Sequence, residues 1–179
     1  MLKAENCLLL IIDIQEKLVN ACKDSEIIGK KALALANAIR ILSIPALVTE
    51  QYPKGLGSTI DCVKESLGAV EYVEKTSFSA LREEGFAEKL AGYGKKQIIL
   101  CGIEAHICVY QTCLELMEKG YEVYVVKDAS SSRKEYEYLT GLDLMQAAGA
   151  HLTCVEVVLF ELLGGAKHPN FKEVQQLIK

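Results

Sequence analysis

The chain has 179 residues, 50% hydrophobic and 25% charged, with a formal net charge of −4 and a pI near 5.5. That balance lacks the basic excess of a nucleic-acid footprint, and no apolar run approaches the about 20 residues a membrane span requires. The seven cysteines are odd in number and include no CxxC pair, so they read as reduced thiols rather than a disulfide frame or zinc site.

The N-terminus runs directly into Cys7–Ile12, a continuous apolar stretch expected of a strand buried on both faces of a parallel sheet, with Asp13 at its carboxyl end. With no targeting segment ahead of that strand, the expected location is cytoplasmic. Apolar residues at helical spacing predict a helix from about Ser25 to Ser43, and Ile44–Thr49 reads as the second strand. Glu50–Gly57, marked by one proline and two glycines, is a loop leaving a strand end, where parallel sheets place their ligand crevice. Ala69–Val73 is a third strand, delivering Glu74 and Lys75, and a helix follows across Leu81–Tyr93. Ile98–Leu100 is a fourth strand; a turn at Gly102 leads to a helix opening near His106, which puts Cys108 in its first turn. Tyr121–Val126 and His151–Val155 are further strands, His151 being read as structural. Helices are expected over Glu135–Ala148 and Phe171–Ile178, with a short helix between them that Phe160–Leu163 closes before Gly164 and Gly165. The alternation of strand and helix predicts a three-layer α/β fold with a parallel sheet. No repeat or linker interrupts it, so residues 1–179 read as one domain.

Asp13, Lys75 and Cys108 all stand at or just beyond carboxyl ends of predicted strands, which share one edge of a parallel sheet. A carboxylate, an ammonium and a thiol in one cleft can divide the labour of nucleophilic catalysis. Asp13 moves the proton, Lys75 stabilises the thiolate, and backbone N–H groups at the helix entrance hold an oxyanion. Unpaired N–H groups and the helix dipole at Cys108 also favour thiolate.

Three stretches carry a family resemblance: Leu9–Gln15 with Asp13, Glu74–Ala80 with Lys75, and Cys101–Cys108. Together they resemble the isochorismatase-like cysteine hydrolases. The resemblance implies a six-stranded sheet of order 3-2-1-4-5-6 with helices on both faces, and a Cys108–Asp13–Lys75 triad acting on a small amide or related carbonyl substrate. It also implies a homo-oligomer, for which Val155–Leu163 is the candidate interface, and a cis Ile103–Glu104 bond that turns the Glu104 and Cys108 N–H groups toward one oxyanion. Nicotinamidases of the wider family carry an Asp-x-His metal motif where this chain has Glu50, Gln51 and Tyr52, so no metal and no cofactor are expected.

Gln15, Gln51, Tyr52, Phe78, His106 and Tyr110 are candidates for the pocket wall, and Arg133 for positioning a loop. No nucleic-acid or membrane partner is expected. The competing reading is a non-catalytic or redox-responsive interaction protein in which Cys108 is a sensor thiol oxidised through sulfenic acid.

Overall fold

The computed structural model describes residues 1–179. Six strands form one parallel sheet: β1 (Cys7–Ile12), β2 (Ala46–Gln51), β3 (Glu71–Lys75), β4 (Gln97–Ile103), β5 (Glu122–Ser131) and β6 (His151–Thr153). Their order is β3-β2-β1-β4-β5-β6, as the resemblance implied. Nine helices accompany them: α1 (Glu16–Asn20), α2 (Ser25–Ile41), α3 (Pro53–Leu56), α4 (Asp61–Leu67), α5 (Phe86–Gly92), α6 (Tyr110–Glu118), α7 (Glu135–Ala147), α8 (Val155–Leu163) and α9 (Phe171–Gln176). No helix is long and apolar enough to cross a membrane.

The period of two along a strand explains why β1 is apolar throughout. Cys7, Leu9 and Ile11 face one core, with Ile28, Leu35 and Ile39 of α2, Val63 of α4 and Val158 of α8. Leu8, Leu10 and Ile12 face the other, with Phe86 of α5, Leu116 of α6 and Met145 of α7. The connection order changes direction between β1 and β4, which pair along their length. Ligands in open α/β sheets bind at such a switch point, beyond the strands' carboxyl ends.

Several expectations change in detail. β3 begins and ends two residues later than expected, so Lys75 belongs to the strand and its side chain turns inward. The single helix expected over Leu81–Tyr93 is a short 3₁₀ turn, Ala80–Arg82, then α5, with Gly85 between them in a left-handed conformation. β5 continues to Ser131 because its polar end finds partners within the fold. The Ser130 hydroxyl donates to the Val126 carbonyl and accepts from the Gly102 N–H, while Asp128 accepts from the Val155 N–H. β6 ends at Thr153 rather than Val155, and Val155 instead opens α8. His151 does not open a buried strand: its side chain is about half exposed and its ring stacks on Tyr124, centroids 4.7 Å apart.

Candidate active site

The site is assembled at the carboxyl ends of β1, β2, β3 and β4. Asp13 leaves β1 with φ 53, a left-handed conformation that short polar side chains tolerate better than most. Close approach of β4 is enforced at Gly102, where a Cβ would fall 2.2 Å from the Ile12 carbonyl oxygen. Beyond β4, the chain turns through Glu104, also left-handed (φ 59), into a widened π-type turn over Ala105–Val109 that leads into α6. Such turns are rare and concentrate at functional sites. Gly141 of α7 backs this turn; a Cβ there would lie 2.8 Å from the Ala105 carbonyl group and the His106 Cα. The Ile103–Glu104 bond is trans, not cis as the resemblance implied. The left-handed Glu104 backbone makes the turn with an ordinary peptide bond.

Asp13 and Lys75 form an ion pair, Nζ to Oδ2 2.7 Å, with both side chains fully buried. The Lys75 ammonium donates to Gln51 Oε1 at 2.6 Å and to the carbonyls of Ser77 and Phe78, each at 3.2 Å. With the Asp13 carboxylate these make four acceptors around the three hydrogens of the ammonium. Asp13 Oδ1 accepts from the Thr49 hydroxyl at 2.7 Å. Oδ2 is held in the ion pair at 2.7 Å, and the Asp13 carboxylate lies within hydrogen-bonding reach of the Cys108 thiol. Cys108, only 5% exposed, lies against this pair and feels both of its charges. Burial first, then the Asp13 charge, push its thiol up to about 12, and Lys75 only partly offsets them. The thiolate expected from the helix entrance is therefore not the resting form. Desolvation outweighs the dipole, and the sulfur needs a base to lose its proton.

The other expected residues divide into two groups. Gln15 is buried and holds the loop after β2: its Nε2 donates to the carbonyls of Gln51 and Gly57, and its Oε1 accepts from the Gln51 N–H. Gln51 then fixes Lys75 from one side and the Thr76 carbonyl from the other. Tyr52 lines a cavity of about 190 Å³ with Pro53, Lys54, Glu74, Lys75, Thr76 and Glu83. The Phe78 ring is exposed at the surface, and its carbonyl serves Lys75. His106 contacts Ser132, Glu104 and Glu137 rather than the Asp13–Lys75 pair. Arg133 holds Glu104, Nε to Oε1 2.5 Å.

Residues that the sequence did not single out include Thr49, Ser77, Thr59 and Glu137. The Thr59 N–H and hydroxyl both donate to buried Glu50, closing the loop that carries Gln51. A threonine two residues before a strand's end carries no spacing signal, and Glu137 looks like any acidic residue in a first helical turn.

Fold and site together define a doubly wound α/β protein with a buried thiol, carboxylate and ammonium at its switch point. Residues 7–157 match the family model of the isochorismatase domain, and the chain belongs to that family, the isochorismatase-like hydrolases. It is 43% identical over 172 residues to isochorismatase domain-containing protein 2 of Xenopus laevis, covering 95% of this chain and 82% of the relative. Among solved structures it is similar to the MAR1 ribonuclease of Caenorhabditis elegans, with a TM-score of 0.93 and 43% identity over 99% of this chain and 91% of that one. YcaC of Pseudomonas aeruginosa, solved with hexane-2,5-diol and covalent acrylamide, superposes with a TM-score of 0.93 at 26% identity, covering 98% of this chain and 90% of that one.

Proposed function

We propose that the protein is a cysteine hydrolase of small amides or related carbonyl compounds, with Cys108 as nucleophile, Asp13 as proton shuttle and Lys75 as counter-charge. The observation that carries this reading is the Asp13 carboxylate: fully buried, 2.7 Å from the Lys75 ammonium and within hydrogen-bonding reach of a thiol that burial keeps protonated. Asp13 takes the thiol proton as Sγ bonds to the substrate carbonyl carbon. The C–N bond then breaks, and the departing nitrogen receives that proton. Water attacks the thioester, giving one proton to Asp13; the acid leaves and the proton returns to sulfur. The Cys108 N–H is the oxyanion donor kept in this scheme, because the orientation expected of the Glu104 N–H rested on a cis bond. Substrate enters past Tyr52, and the scheme requires neither metal nor cofactor.

The covalent acrylamide in the P. aeruginosa relative is an electrophilic amide, which favours nucleophilic chemistry in this fold. A second reading, RNA hydrolysis, rests on the name of the C. elegans relative. The net charge of −4 and the nearly buried thiol argue against a long polyanion as substrate. A panel of small amides and a labelled RNA, assayed with wild type and Cys108→Ala, tests both. Amide turnover lost in the variant supports the proposal; RNA cleavage by wild type with no amide turnover overturns it. We further propose a homo-oligomer built through α8, whose Val157 and Phe160 are exposed, with light scattering as the check.

A further inference from the structure

His106 lies between two carboxylates that are each half satisfied. Glu104, 93% buried by its 7% exposure, has Oε1 bound to Arg133 at 2.5 Å, while Oε2 lies 3.5 Å from His106 Nδ1 and has no hydrogen-bond partner. Glu137 of α7 repeats the pattern. Its Oε1 faces Lys134 at 4.0 Å, while Oε2 lies 3.8 Å from His106 Nε2, buried and unpartnered. Distances of 3.5 and 3.8 Å exceed a hydrogen bond. As the groups stand, neither inner oxygen receives a hydrogen bond, at the usual cost of buried polar atoms.

We propose that Glu104, His106 and Glu137 bind one divalent transition-metal ion. One ligand atom from each lies within 4.8 Å of the others. Metal–ligand bonds of about 2.0–2.2 Å would bring such atoms to roughly 3–3.5 Å apart, a side-chain adjustment on the order of 1 Å. Two carboxylates and an imidazole suit ions of the manganese-to-zinc series, with remaining positions left for water. The outer contacts are those such a site needs. Arg133 orients Glu104, and the Ser132 hydroxyl, 2.9 Å from His106 Nδ1, accepts its proton if Nε2 takes the metal. Glu104 and His106 stand two residues apart in one turn, while Glu137 comes from α7, so only the fold brings the third ligand to the other two. The ion would tie α7 to the turn that carries Cys108, where Gly141 already packs without a side chain.

The test is Mn²⁺ titration of chelator-treated full-length protein, followed by electron paramagnetic resonance of free Mn²⁺. Mn²⁺ is chosen because a hard ion avoids the seven thiols. The expected result is one Mn²⁺ per chain, with affinity at least tenfold weaker in Glu137→Gln and in His106→Ala. Saturating Mn²⁺ should also raise Tm in wild type and not in Glu137→Gln. No binding to wild type, or equal binding to folded Glu137→Gln, overturns the proposal. If His106→Ala does not fold, the Glu137→Gln comparison decides.

Discussion

Two polar clusters meet at the turn that carries Cys108, and they are satisfied to different degrees. Around Lys75 every ammonium hydrogen has an acceptor, and the Asp13 carboxylate lies between that ammonium and the thiol. Around His106 two inner carboxylate oxygens lack partners, while the outer oxygens are held by Arg133 and faced by Lys134. The first cluster is neutral as a pair and holds the carboxylate to which a proton must move. The second has two open carboxylate oxygens facing one imidazole. A buried carboxylate beside a reacting atom, or one left open toward a common centre, has a use that a group paired only for structure does not.

The sharpest way to break the comparison is to remove one partner from each cluster. Asp13→Ala strands a buried ammonium and should destabilise by about 3–5 kcal/mol in urea unfolding. Gly102→Ala drives a methyl group into the Ile12 carbonyl and should cost roughly 3 kcal/mol, near the upper end of overpacking effects, in the same assay. Thr49→Val deprives Asp13 Oδ1 of its donor; a loss of about 1–3 kcal/mol and slower amide turnover are expected. Raising the pH offers a gentler test of the dry core. The thiols of Cys101, Cys108 and Cys113 are pushed up to about 12 by burial, from an ordinary value of 9.0. Above pH 9 the unfolded chain releases protons that the folded chain retains. Stability present below pH 9 should therefore fall progressively as pH rises toward 12, by at most about 1.4 kcal/mol per pH unit for each thiol. Glu137→Gln should have the smallest effect: without metal it should leave stability within about 0.5 kcal/mol of wild type or raise it, since it removes an unpaired charge.

Much of this arrangement is legible in the residues. The unbroken apolar run Cys7–Ile12 and the strand–helix alternation specify a parallel sheet, and strand ends carry Asp13, Lys75 and Cys108 to one edge. The order of strands came from resemblance, because periodicity says nothing about which strands are neighbours. What stayed hidden depends on three-dimensional partners. Lys75 in a strand, β5 running through a polar Ser-rich stretch, and α4 after the loop all rest on long-range hydrogen bonds or packing. The thiol's protonation could not be read from its place at a helix entrance, because burial, not the dipole, dominates there. The trans Ile103–Glu104 bond and the Glu104–His106–Glu137 cluster likewise follow from backbone and tertiary geometry that spacing does not encode.

The central claim is that Asp13 activates a thiol that is protonated at rest. Time-resolved peptide mapping after exposure to acrylamide at pH 7 tests it most directly. Cys108, though nearly buried, should be alkylated ahead of the more exposed Cys62 and Cys154, and at least tenfold more slowly in folded Asp13→Asn. Labelling that follows exposure, with Cys62 and Cys154 first and Cys108 indifferent to Asp13→Asn, would contradict it.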